Sequence, residues 1–176
     1  MTNVHKVVTT MATMAAVLLG AGCGASGSGT APPAVADSSR VDMCTILTDQ
    51  ELSQLGIRPD TREPVEQQDA VGCYWRGTPF ALALERDKQT VASYIARERG
   101  PALITFAENK VNGRAGVRFG VENEGTDCEQ LIDGGSVSLV VSVAPQLGAT
   151  GPKIDSCAES LRIAQMIEPR LPEAGS

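Results

Sequence analysis

Five cysteines, Cys23, Cys44, Cys73, Cys128 and Cys157, constrain this chain of 176 residues more than any other feature. In an oxidising compartment structural cysteines pair, and five cannot all pair within one molecule. The first residues indicate which compartment applies. Lys6 precedes an uncharged run from Val7 to Leu19 and then the small residues Gly20, Ala21 and Gly22, which is the order of a secretory signal peptide. That run is shorter than the roughly 20 residues a helix needs to cross a bilayer, and no later stretch is both long enough and free of charge.

Cys23 follows the small residues directly, where a lipoprotein peptidase needs the cysteine that carries the diacylglycerol anchor. In Leu19-Gly20-Ala21-Gly22-Cys23 the Leu stands four residues before the Cys, whereas three is the rule for the bacterial lipobox. The alternative is plain secretion, with cleavage near Ala21 or Ala25. Parity favours the lipid: setting Cys23 aside leaves four cysteines, which allow three connectivities. Pairing Cys44 with Cys73 and Cys128 with Cys157 closes two local loops of about 30 residues, each stabilising by roughly 3 to 4 kcal/mol in the chain-entropy model.

The segment from Gly24 to Ser39 is built of Gly, Ala, Ser, Thr, Pro and Val with one charge, Asp37, so it cannot bury a core. The expected organisation is a leader over 1–22, a tether over 23–40, a single domain over 41–172 and a short tail over 173–176. A flexible tether of this length has a root-mean-square span of roughly 20 Å, enough to hold a domain clear of lipid headgroups. The formal charge is −6, becoming −7 once Lys6 leaves with the leader, and such a surface repels nucleic acid.

Within the domain, Thr48 and Glu51 form a capping box before Leu52, with Leu47 as a staple, and Gly56 closes that short helix. Cys73, Tyr74 and Trp75 read as a strand. Phe80, Leu82 and Leu84 alternate with Ala81, Ala83 and Glu85, the period of a half-buried strand. Val91, Tyr94 and Ile95 share one face of a helix expected over Asp87 to Arg99, stopped by Gly100 and Pro101. Arg114 to Phe119 and Cys128 to Ile132 read as strands, and Asp133-Gly134-Gly135 turns into the strand carrying Val137, Leu139, Val141 and Val143. Ser156 and Glu159 give a second capping-box pattern ahead of Leu161, Ala164 and Ile167. Strands that cluster as hairpins predict an α+β domain: an antiparallel sheet of about five strands, helices packed mainly on one face, and two disulfides.

The stretch from Asp42-Met43-Cys44-Thr45-Ile46-Leu47-Thr48 to Leu52, with Gly72-Cys73-Tyr74-Trp75, Asp127-Cys128 and Asp155-Ser156-Cys157-Ala158, resembles the actinobacterial exported lipoproteins grouped as domain of unknown function 3558. The resemblance covers most of the chain from Asp42 to Pro172. Ile46 replaces the first Leu of the Cys-x-Leu-Leu-Thr helix start, and the usual Asp-Pro-Cys openings appear as Asp-Met-Cys and Asp-Ser-Cys. It implies a cell-envelope lipoprotein and assigns no activity. A fold-level analogy also links it to the two-disulfide sensor domains of mycobacterial serine/threonine kinases.

Chemistry-bearing groups are few. The single His is His5, inside the leader, which removes Ser-His-Asp and Cys-His nucleophilic sites and histidine metal sites from the mature chain. Gly113-Arg114-Ala115-Gly116 and Gly134-Gly135 lack the spacing of a phosphate loop and read as turns. Glu122, Glu124 and Asp127 make an acidic stretch whose spacing does not match a calcium loop. Arg114 and Arg118 alternate with Ala115 and Val117 and could present two cations on one sheet face. Trp75 is a core ring beside a disulfide or one wall of a ligand cleft.

No catalytic residue, cofactor or metal is implied. The expectation is a lipid-anchored protein on the extracytoplasmic face of the cell membrane, acting as a non-catalytic binding or sensor-like module for an unidentified envelope ligand or protein. The alternatives are a carboxylate-based envelope hydrolase and a carrier of lipid or small molecules, and for the location, secretion.

Overall fold

The computed structural model describes residues 37–97, 103–121, 127–146 and 154–173, all of which fall in one compact unit, Pro32–Ser176. Its frame is a single antiparallel sheet of seven strands: β1 (Glu63–Glu66), β2 (Ala70–Trp75), β3 (Phe80–Asp87), β4 (Leu103–Val111), β5 (Arg114–Val121), β6 (Cys128–Asp133) and β7 (Ser138–Pro145), in the order β1-β2-β3-β7-β6-β5-β4. One meander, β1 to β3, and a second, β4 to β7, meet where β7 pairs with β3 from Phe80 opposite Pro145 to Asp87 opposite Ser138. No helix among the described residues is long and apolar enough to cross a membrane.

Both faces of this sheet are covered. Leu139, Val141 and Val143 of β7 join Leu82, Leu84 and Ile132 in the larger core, beneath α1 (Asp49–Gln54) and α3 (Ser156–Ile167). Val140, Leu131, Val117 and Phe119 point to the other face, where Val91 and Tyr94 of α2 (Val91–Ala96) cover them. A central strand buried on both sides reads as a continuous apolar run, as Leu139 to Val141 does.

The expectation of about five strands with helices mainly on one face is therefore corrected to seven strands with helices on both. β1 was missed because Glu-Pro-Val-Glu is short, charged and largely exposed, the composition that protects a sheet edge from further pairing. β4 was missed although Asn112-Gly113, both at positive φ (50° and 97°), is the turn that joins it to β5. The helix expected over Asp87 to Arg99 is shorter because β3 runs on through Asp87, and Thr90 caps α2 by accepting from the Ser93 amide at 3.1 Å.

Other local signals appear where the sequence puts them. Thr48 and Glu51 make the capping box of α1, and Gly56 follows it at φ 77°. α3 differs in its cap: Asp155, not Ser156, accepts from the Cys157 and Ala158 amides at 3.1 and 3.0 Å, while Glu159 pairs with Arg162. Gln130, fully buried on β6, exchanges amide hydrogen bonds with Asn109 of β4 at 2.7 and 3.0 Å, the pairing that lets a polar side chain stay in the core. Ahead of α1, buried Ser38 donates its amide to the Gly134 carbonyl at 2.8 Å.

Candidate functional site

The segment before α1 crosses the larger-core face over β1 to β3 and leaves an open pocket of about 360 Å³ beside it, lined by Arg40, Asp42, Glu66, Val71 and Arg86 among others. Strand register builds its floor. Glu66 stands opposite Val71, and Val71 opposite Arg86, so the three side chains form a row on the face that Val71 shares with Cys73 and Trp75. With strands spaced about 4.8 Å apart, the backbones carrying the acid and the base are about 10 Å apart. Between them Val71 is 37% exposed, one of the two large apolar side chains left open to solvent among the described residues.

The wall is fixed covalently. Cys44 is bonded to Cys73 with their Cα atoms 5.1 Å apart. Asp42 shapes the approach to that cystine by accepting from the Cys44 amide at 2.9 Å and from Thr45 Oγ1 at 3.0 Å. Arg86 ties floor to wall, since its Nη1 donates to the Val41 carbonyl at 2.9 Å. At Gly72 the β2 backbone runs so near β3 that a Cβ would lie 2.0 Å from the Leu84 carbonyl oxygen, so a larger residue there would push the floor apart.

The opposite face of the sheet gathers acids. Period 2 places Glu85 and Asp87 of β3 and Glu129 of β6 on the α2 side, with Glu85 opposite Val140 and Glu129 opposite Ser142. Burial, followed by the charges of Glu85, Asp87 and Asp127, pushes Glu129 up to about 7. Burial and then Asp87 raise Glu85 as well. The Tyr94 hydroxyl, buried and donating to Asp87, is pushed well above the usual phenol range. Tyr94, Phe119 and Phe106 stack along this face at centroid separations of 5.8 and 6.4 Å. A carboxyl that keeps its proton near neutrality can donate it to a bound group, but these acids do not line the pocket described above.

Of the residues singled out in the sequence, Cys23, Glu122 and Glu124 lie outside the described residues, and Asp127 is exposed. Cys128 is joined to Cys157, so Cys44, Cys73, Cys128 and Cys157 are all held in the two local bridges. Trp75 is a core ring, 1% exposed, with the Arg62 guanidinium 5.8 Å from its ring centroid, and it does not line the pocket. Arg114 and Arg118 share a sheet face by their spacing, yet only Arg118 reaches solvent. Arg114 is buried and donates to Glu168 at 3.0 Å, the Asp133 carbonyl at 3.2 Å and the Pro172 carbonyl at 2.7 Å.

Arg86, Val71 and Glu66 were not singled out. A signal for Arg86 was present: it continues the parity of Leu82 and Leu84, so a cation had to lie on the apolar face of β3. Glu66 could not be found the same way, because β1 itself was not recognised.

The model of a family described as "Protein of unknown function (DUF3558)" matches residues 18–170. No curated protein matches the chain, and no solved structure does.

Proposed function

The chain belongs to the family described as protein of unknown function (DUF3558), and from that premise we propose that it is an exported cell-envelope protein, of the kind found in actinobacteria, whose folded domain binds a ligand without turning it over. The observation that carries the binding reading is the pocket over β1 to β3, whose wall is fixed to its floor by Cys44–Cys73 and by Arg86. A pre-formed concavity with a few converging polar groups is the usual form of a small-ligand site. Anchoring through a lipid on Cys23 has independent support: the other four cysteines are consumed in two disulfides, leaving Cys23 as the odd one behind a leader-like N-terminus.

The shared sheet face of Glu85 and Glu129, two strands apart, favours a second reading, a hydrolase built on carboxylates, since burial there pushes Glu129 up to about 7. Perturbed acids mark functional sites often enough to be tested, though structural clusters perturb them too. Screening the purified chain against ester, peptide, glycoside and phosphate substrates separates the two readings. The binding reading expects no turnover. Turnover that Glu129→Gln abolishes while the fold stays intact would replace it with the enzyme.

A further inference from the structure

We propose that the pocket over β1 to β3 receives a small anion, a carboxylate or a phosphate on a short aliphatic stem, with the anion on the Arg86 guanidinium and the stem on Val71. This deepens the binding reading above and rests on it. Arg86 is half-buried, and among the described residues its side chain makes one hydrogen bond, from Nη1 to the Val41 carbonyl. The ion pairs among the described residues use Arg62, Arg76, Arg114, Arg162 and Arg170, and Arg86 is in none of them. Arg114 shows what this fold does with a buried guanidinium it keeps for structure: it supplies Glu168 and two carbonyls. Among the described residues Arg86 has no carboxylate partner, only the Val41 carbonyl. Withdrawing a cation from water without a counter-charge is unfavourable, and the planar fork of a guanidinium matches a carboxylate or phosphate in geometry as well as charge.

The other charges around the pocket set which anion fits. Arg40 adds a second cation at the rim. Asp42 also lines the pocket, its two oxygens held by the Cys44 amide and the Thr45 hydroxyl and not by Arg86. Glu66, two strands away from Arg86, repels a second anionic group at the far end of the ligand. A monoanion therefore fits better than a dicarboxylate, and the exposed Val71 between Glu66 and Arg86 offers apolar contact to a stem of a few carbons.

The test is a nuclear magnetic resonance titration of the oxidised chain, purified as its cell processes it, with butyrate, butyl phosphate, succinate, and butanamide as the uncharged control. The expected result is that butyrate or butyl phosphate shifts the amides of 40–44, 64–66 and 71–72 and the Arg86 side-chain signal. Succinate should be weaker than butyrate, and butanamide weaker by about tenfold or more, the worth of a charge-assisted hydrogen bond. Arg86→Gln should abolish the response. Arg86→Lys, which can still donate to Val41, should weaken it by about tenfold through loss of the fork. Arg40→Gln, at an exposed position, should weaken it less and leave the remaining spectrum unchanged. Equal binding of butanamide and butyrate, or binding indifferent to both Arg86 variants, would overturn the anion assignment while leaving the pocket as a binding site. Silence of the pocket amides toward all four probes would overturn both.

Discussion

The Tyr94 hydroxyl donates to Asp87 Oδ2 at 2.7 Å, and this bond fastens α2 to the end of β3 over the acidic face of the sheet. The other oxygen of Asp87 accepts from the Gln89 amide at 2.7 Å, so the carboxylate serves as a hub for the whole connection. Tyr94→Phe keeps the stacking on Phe119 and removes the hydroxyl alone. We expect a loss of about 1 kcal/mol in urea unfolding, with faster amide exchange over Val91–Ala96 and no change around Arg86.

Glu129 supplies a pH dependence of definite sign. Its folded value is raised from 4.5 to about 7, with burial as the first cause, so the folded state holds this proton more tightly than the unfolded chain does. The associated stability is fully present below about pH 4.5 and is lost as pH rises toward 7; at 1.36 kcal/mol per pH unit it amounts to roughly 3 kcal/mol. Glu129→Gln should therefore flatten the stability profile between pH 5 and 8 and gain stability over the wild type at pH 8. A wild-type profile that rises across this window, unaltered by the substitution, would contradict that account.

The two disulfides close loops of equal length, with a sequence separation of 29 in each, and should stabilise by similar amounts, roughly 3 to 4 kcal/mol apiece. Their effects on the pocket should differ. The paired substitution Cys44→Ala with Cys73→Ala frees the pocket wall, so exchange at 40–44 should quicken and ligand binding should fall. Removing Cys128 and Cys157 together loosens α3 from β6 and should leave the pocket's local exchange pattern in place. Equilibrium unfolding with residue-resolved hydrogen exchange distinguishes the two.

Arg114 and Arg118 lie on one strand, four residues apart, and are opposite in consequence. Arg114→Ala leaves the partly buried Glu168 without its cation and two carbonyls without their donor, which should cost about 3 kcal/mol. Arg118→Ala removes an exposed side chain and should change stability by about 0.5 kcal/mol or less. Thermal unfolding of the two variants side by side measures the contrast.

What the sequence made legible was local chemistry. The Thr48–Glu51 capping box, the Gly56 stop and the alternation in β3 need only neighbours along the chain, and the two bridges follow from short loops once export is assumed. What it hid depends on register between distant strands. Nothing near Val140 or Leu131 says that these face α2 while Val141 and Ile132 face α3, so the sheet read as one-sided. The pocket is hidden for the same reason, because Glu66, Val71 and Arg86 become a row only when β1, β2 and β3 align. Asn112-Gly113 is different: the turn signal was present and was passed over.

The proposed export and lipidation at Cys23 allow a direct check. Protein extracted from membranes should carry a fatty-acylated Cys23 at its N-terminus and partition into detergent, and Cys23→Ala should abolish both. A Cys23→Ala chain still cleaved and anchored as before would refute lipidation at this residue.

Hydrogen exchange of the oxidised chain, with and without the small-molecule fraction of its own cell envelope, tests the binding account most directly. The account predicts slowed exchange confined to 40–44, 64–66, 71–72 and the neighbourhood of Arg86, and loss of that slowing in the Arg86→Gln chain. Protection confined to Val91–Ala96 and β6, or none at either place, would contradict it.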